Sequence, residues 1–210
     1  MALQPFGPQD PGSKYSIANF VTIIRLVVSL NFFALAVVHN SPTYNYIGFF
    51  FHWLVDFIDG LCARKLKQET ILGAEMDIIV DRVEILFFFV NLFHFKPELV
   101  PAGSLYLIDY AFVDFYLSFQ FNKYGIISPN YFNQVDRTIY LLNYSPAGKF
   151  CNSSVPTLML IFLPGLHPLA GFLACILIGV KVFSVLRLWK IPQAASRRAA
   201  GRKKPGHKAG

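Results

Sequence analysis

The sequence predicts an all-α integral membrane protein with six transmembrane helices and both termini in the cytoplasm. Three observations carry that expectation. Hydrophobic residues fill 54% of the 210 positions, with 22 Phe, and mean hydropathy is +0.45. Only 15% of residues are charged, against roughly 25% in an ordinary soluble domain, and one soluble core of this size could not hide so much apolar side chain. The third observation is where the charges sit. Of the 19 Lys and Arg, six crowd between Arg197 and Lys208, and most others flank the ends of apolar runs. A net charge of +7 distributed in this way points to membrane topology and anionic membrane lipids, with no nucleic acid as partner.

The elements follow in order. Residues 1–13 are polar and rich in Pro and Gly, without the basic start and apolar run of a cleaved signal. The first helix, Ile17–Val38, is therefore expected to direct insertion itself. A bilayer core needs about 20 predominantly apolar helical residues. Further runs of about that length are Tyr44–Ala63, Leu72–Phe95, Ala102–Phe121 and Leu169–Trp189, with a shorter run, Lys149–Leu163, that holds Pro156. Gly165 and Pro168 predict a tight turn between the last two. Lys and Arg concentrate in the N-terminal segment, the Arg64–Lys67 connection, the Lys123–Lys149 stretch and the tail. The alternate connections hold one, Lys96. By the positive-inside rule an even number of spans then leaves both termini cytoplasmic. No polar linker separates two cores, so residues 14–192 read as one membrane domain. The Gly/Ala-rich basic tail, 193–210, reads as disordered. Cys62, Cys151 and Cys175 have no metal or redox spacing and read as small membrane-buried hydrophobes.

The second and third helices contain residues that a lipid-facing helix would not tolerate. Asp56, Asp59, Asp77 and Asp81 lie inside or at the ends of apolar runs. Each carboxylate near the bilayer centre costs about 2.5–3.5 kcal/mol on insertion scales, so such residues are functional by default. The spacings i, i+3 and i, i+4 put each pair on one helix face. A short connection makes the helices an antiparallel hairpin, so the carboxylates converge at one depth. They cannot all remain ionised uncompensated. Oxygen-only ligands select hard cations such as Mg²⁺ or Mn²⁺, and a carboxylate-held metal pair serves phosphoryl chemistry. A structural alternative is pairing of a stray aspartate with Arg64 or Arg82. Glu84, three residues after Asp81, could support the site, cap, or pair with Arg82.

From Asp56 to Asp81 the chain reads DFIDGLCARKLKQETILGAEMDIIVD, which fits D-x2-D-G-x2-A-R-x8-G-x3-D-x3-D at every position. Here the sequence resembles the CDP-alcohol phosphatidyltransferase family, whose signature this is, and the six-span layout looks like that family over almost the whole chain. The resemblance implies transfer of a phosphatidyl group from CDP-diacylglycerol to a small alcohol acceptor, with release of CMP, in phospholipid biosynthesis. It implies that Asp56, Asp59 and Asp77 ligate two divalent metals. Asp81 also lies at the metals and is the favoured general base. Gly60 and Gly73 would let the nucleotide approach the backbone, Ala63 would keep the wall shallow, and Arg64 would contact phosphate. Asn19 and Arg25 resemble the family's early Asn and Arg near the site entrance, although topology anchoring also accounts for Arg25.

For the acceptor, Arg82 follows the last motif aspartate, as in inositol-type members, where glycerophosphate-type members carry Lys. Asp109-Tyr-Ala resembles an element of eukaryotic phosphatidylinositol synthases, but the His-Trp that follows there is replaced by Phe112, Val113 and Asp114. Inositol is the first expectation. A phosphorylated acceptor (glycerol 3-phosphate or an inositol phosphate) is the alternative, for which Lys123, Arg137 and Lys149 offer cations. A transporter with buried acids has no need of the interleaved Gly, Ala and Arg, and an inactive scaffold would show itself by losing a motif aspartate. Multi-pass insertion is expected in the endoplasmic reticulum of a eukaryote or the plasma membrane of a bacterium, and a homodimer is compatible with the chain.

Overall fold

Helix α1 spans Ile17–Val38, α2 Pro42–Lys65 and α3 Ile71–Phe95. They belong to a computed structural model that describes residues 17–65 and 69–192, with side chains from 19 to 61 and from 69 to 192. The expectations for the N-terminal segment, the basic tail, the Arg64–Lys67 connection and the side chains of Cys62, Ala63 and Arg64 lie outside the described residues. Among the described residues every regular element is helical.

The reversal between α1 and α2 is tight. Asn40 takes a left-handed conformation, φ 46°, which Asn tolerates better than most residues, and Pro42 opens α2 where its missing N–H costs nothing. Thr70 caps α3, its hydroxyl accepting from the Gly73 N–H at 2.9 Å. Helix α1 packs along α2 and α3, and the three are tied by amides. Asn91 Nδ2 donates to the Phe33 carbonyl at 2.9 Å and to Asn45 Oδ1 at 3.2 Å. Asn45 Nδ2 donates to the Phe88 carbonyl at 3.1 Å. Around this knot lie Phe33, Phe49, Phe88 and Phe89, all buried, with the Phe49 and Phe88 rings 4.5 Å apart.

The second half is less regular than its hydropathy suggests. The expected fourth span is α4, Val100–Ile108, continued through a π-helical turn at Asp109–Asp114 into α5, Phe115–Phe119. Helix α6 is Phe121–Tyr124. The stretch to Lys149, expected only as a basic connection, holds a 3₁₀ segment (Pro129–Gln134), α7 (Arg137–Ile139), a π turn (Tyr140–Tyr144) and α8 (Pro146–Lys149). Asp136 caps α7 and pairs with Arg187 at 2.8 Å. Burial alone would raise its carboxyl, but the Ile139 N–H and the Arg187 guanidinium hold it below the usual range. The fifth run continues α8 through a π turn, Phe150–Ser154, into α9, Val155–Phe162. Pro156 explains the placement of that turn, because it lacks the N–H that a regular helix would use there. The expected turn at Gly165 is the 3₁₀ segment Pro164–Leu166, followed by α10, His167–Trp189.

Helix α10 rests on α4. A Cβ at Gly171 would lie 3.4 Å from Ala102 Cα, so small residues set this close approach. A second core, with Leu117, Phe121, Phe132, Ile139, Tyr144 and Leu188, supports the irregular stretch, and its Phe132 and Tyr144 rings stack at 4.9 Å.

The stretches Asn19–Val38 and Pro164–Trp189 are long and apolar enough to cross a membrane. Phe20, Phe57, Val90, Phe112 and Phe172 stand on the outer surface, an exterior suited to lipid contact. Cys151 and Cys175 are free and exposed on that exterior.

Phe88 is at the centre of the aromatic knot. Phe88→Ala is expected to lower stability by about 3–5 kcal/mol, read as thermal unfolding in detergent. Melting unchanged from the parent would contradict the packing described.

Candidate active site

The site begins with the register of two helices. Asp56 and Asp59 lie towards the end of α2, and Asp77 and Asp81 lie in the first half of α3. The helices are antiparallel neighbours, so their acidic faces meet. A third helix supplies what the hairpin lacks: Arg25 of α1 enters between them, with 0% of its side chain exposed. Its Nη1 binds Asp56 in a short contact and reaches Asp59 at 3.3 Å. Its Nη2 binds Asp81 at 2.8 Å and Asp77 at 3.3 Å, and its Nε is 3.3 Å from Glu84. Thr22, one turn before Arg25, donates to Asp59 at 3.4 Å. Arg25 thus sits at the centre of the site, in contact with every motif aspartate, where the sequence left topology anchoring open. Arg82, next to Asp81 in sequence, approaches that aspartate only at 4.0 Å.

The four aspartates differ in access. Asp59 is 6% exposed and Asp81 20%, while Asp56 and Asp77 reach 35% and 42%. Carboxylate oxygens of Asp56, Asp59 and Asp77 lie within 4.8 Å of one another, as do ligand atoms of His52, Asp81 and Glu84. Oxygens on opposite sides of an Mg²⁺ are about 4 Å apart, so the first group is close to what one ion requires. Among the described residues, Arg25 touches all four carboxylates and Arg82 approaches only Asp81, which leaves negative charge uncompensated. The residues present fit a hard divalent cation.

Glu84 departs from expectation. It neither caps nor pairs with Arg82, because residues two apart on a helix face different ways. It is fully buried, ion-paired with Arg25 Nε at 3.3 Å and lying 2.7 Å from His52 Nδ1. Arg82 turns the other way: it binds Asp114 in a short contact, approaches Asp81 at 4.0 Å and lies over the Tyr110 ring at 4.5 Å. Asp109 does not reach the motif aspartates; it is sealed against Lys181 Nζ at 2.7 Å. Lys181, Asp114 and His52 carried no motif; the signal that could have marked the first two is a charged side chain inside an apolar run, Lys181 in the last and Asp114 in the fourth. Asn19 stands against Gly73, where a Cβ would fall 2.8 Å from Asn19 Oδ1. Here the glycine serves the approach of α1 to α3. Gly60 follows Asp59 in α2 and is half-buried.

Beside the aspartates opens a cavity of about 190 Å³, lined by Asp56, Asp77 and Asp81 on one side and by Arg82, Asp114 and Lys181 on another. All three π turns among the described residues contribute: Tyr110 and Asp114, Asn143 and Tyr144, Asn152 and Ser153. Such turns break the regular ladder and are frequent at functional sites. The volume is below the ~300–1,000 Å³ of pockets for drug-sized ligands, so it suits a small polar molecule.

Residues 15–118 match the sequence model of the CDP-alcohol phosphatidyltransferase family. The chain is 35% identical over 96 residues to a probable CDP-diacylglycerol–inositol 3-phosphatidyltransferase 2 of Arabidopsis thaliana, covering 45% of this chain and 41% of that protein. It is 36% identical over 76 residues to the CDP-diacylglycerol–glycerol-3-phosphate 3-phosphatidyltransferase of Haemophilus influenzae, covering 35% and 40%. The matched part thus spans about two fifths of the length of these curated relatives. No solved structure matches the chain. The matched stretch contains the whole Asp56–Asp81 motif and the guanidinium around which its aspartates gather, and through it the chain belongs to the CDP-alcohol phosphatidyltransferase family.

Proposed function

We propose that this chain transfers a phosphatidyl group from CDP-diacylglycerol to a small alcohol, inositol first, and releases CMP. The observation that carries the reading is the meeting of four motif aspartates beside a small polar cavity. Asp56, Asp59, Asp77 and Asp81 would hold Mg²⁺ or Mn²⁺. When bound, the cations neutralise the donor diphosphate and the charge that builds on the leaving CMP. Gly60, Ala63, Arg64 and Gly73 would form the wall for the nucleotide, with the Arg64 guanidinium suited to phosphate. The acceptor would lie in the cavity with one hydroxyl towards Asp81. Asp81 takes the hydroxyl proton, the oxygen forms a bond to the phosphatidyl phosphorus, and the bond from that phosphorus to CMP breaks. Thr22, Arg25 and Glu84 hold the aspartates in place.

The inositol preference is supported by Arg82 and the Asp109-Tyr-Ala element, and by the Arabidopsis relative. Lys149, which lines the cavity, and the Haemophilus relative keep a phosphorylated acceptor as the second reading. The membrane arrangement belongs to the same proposal: six spans with both termini cytoplasmic, supported by the exposed apolar exterior and the alternating charge of the connections.

Membranes given radiolabelled CDP-diacylglycerol, a divalent cation and a panel of alcohols should form a labelled phospholipid. EDTA should abolish this, Mg²⁺ or Mn²⁺ should restore it, and Ca²⁺ should support it poorly; full turnover in excess chelator contradicts the metal reading. Cysteine labelling should find the Lys123–Lys149 stretch on one side of the membrane and the Lys96–Pro101 connection on the other. Labelling of both from the same side would break the six-span arrangement. The aspartates should separate by role. Asp56→Asn or Asp77→Asn should weaken binding of a CDP-lipid analogue. Asp81→Asn should keep appreciable binding yet lose turnover by about 10²–10⁴-fold, the usual contribution of a general base. If Asp81→Asn loses donor binding as completely as Asp56→Asn, Asp81 is a ligand only.

A further inference from the structure

Two buried cations face the cavity, and each is already matched by carboxylate. Lys181, 1% exposed, binds Asp109 at 2.7 Å and Asp114 at 3.2 Å. Arg82 binds the other oxygen of Asp114 and approaches Asp81 at 4.0 Å. The charges alternate along a ladder, Asp109–Lys181–Asp114–Arg82–Asp81, that joins α10 to α3 through the π turn. Before Asp81 is counted, the two cations are balanced by Asp109 and Asp114. Lys149, the other lysine on the lining, is exposed to solvent.

The π turn is what makes the match possible. An α-helix rotates about 100° per residue, so Asp109 and Asp114, five residues apart, would diverge by about 140°. The i→i+5 closure of a π turn brings such residues onto one face, and both then reach the same ammonium. The ladder is therefore built into the backbone, and carboxylate and cation hold each other in position.

We propose that Asp114, with Asp109 behind Lys181, sets the charge of the acceptor: the compensated cavity takes an uncharged polyhydroxy alcohol and rejects a phosphorylated one. This rests on the transferase reading above. A phosphate monoester carries about −1.5 to −2 charges at neutral pH and needs cationic charge that no carboxylate has already neutralised; Arg82 Nε, without a hydrogen-bond partner among the described residues, offers a donor but no charge beyond the one that Asp114 balances. Here it would have to displace Asp114 from both cations and leave that largely buried carboxylate with the Ser118 hydroxyl but no cation beside it, the costly outcome for a buried pair. A neutral polyol asks only for hydrogen bonds. Asp114 accepts them, and Asn143 keeps a buried amide oxygen without a partner among the described residues. Asn152 adds a further amide to the lining.

The test compares kcat/KM for myo-inositol and glycerol 3-phosphate with the purified full chain in detergent, CDP-diacylglycerol and Mg²⁺. The wild type is expected to favour the neutral acceptor at least tenfold. Asp114→Asn should move that ratio towards glycerol 3-phosphate by tenfold or more, chiefly through the KM values, and Asp114→Glu should keep the wild-type preference. Asp109→Asn should move the ratio the same way by less, and serves where Asp114→Asn does not fold, folding being read by binding of a CDP-lipid analogue. A wild type that prefers glycerol 3-phosphate overturns the inference and leaves the transferase reading intact, as does Asp114→Asn lowering both acceptors equally. Turnover with no acceptor at all would instead overturn the transferase reading beneath it.

Discussion

The arrangement depends on one guanidinium among carboxylates. Asp56, Asp59, Asp77, Asp81 and Glu84 come from two helices, and their mutual repulsion would drive those helices apart in a medium of low dielectric. Arg25 supplies the opposing charge from a third helix, and it does so with no exposed surface. The cost of burying that cation is met only because every nitrogen faces an acidic partner. This requires α1 to lie in the groove between α2 and α3, and the Asn45–Asn91 knot and the aromatic core hold it there. The charge cluster and the three-helix packing are thus one constraint seen from two sides.

The second half of the chain answers that constraint with irregularity. Regular helices would present smooth faces to the acidic hairpin. Three π turns instead open the backbone at Asp109–Asp114, Tyr140–Tyr144 and Phe150–Ser154, and each contributes polar side chains to the same cavity. Each turn is stabilised from nearby. Lys181 clamps the first, the stacked Phe132 and Tyr144 rings back the second, and Pro156 follows the third. An acidic helix pair therefore faces a shaped polar wall, which is the division of labour that a donor site and an acceptor site would need.

The family and the identity of the acidic cluster were legible in the sequence because both rest on local spacing. The motif from Asp56 to Asp81 specifies residue types at helical intervals, and carboxylates in apolar runs are conspicuous. Hydropathy also located the first three helices almost to the residue, since apolar runs bounded by Pro42 and Thr70 leave little choice of end points. It could not show the π turns, whose extra residue leaves composition unchanged, or the short helices in the stretch before Lys149.

What the sequence by itself determined was therefore an all-helical chain, a hairpin with its acids on one face, and the chemistry those acids suit. Only the tertiary structure decided the partners. Arg25 lies 31 residues from Asp56, and Lys181 lies 72 from Asp109. At those separations no periodicity links the members of a pair. The side chains meet because whole helices pack, and packing depends on the shapes of all the faces at once. The same reason makes Glu84 a partner of Arg25 and not of its near neighbour Arg82: on a helix, direction from the axis outweighs distance along the chain.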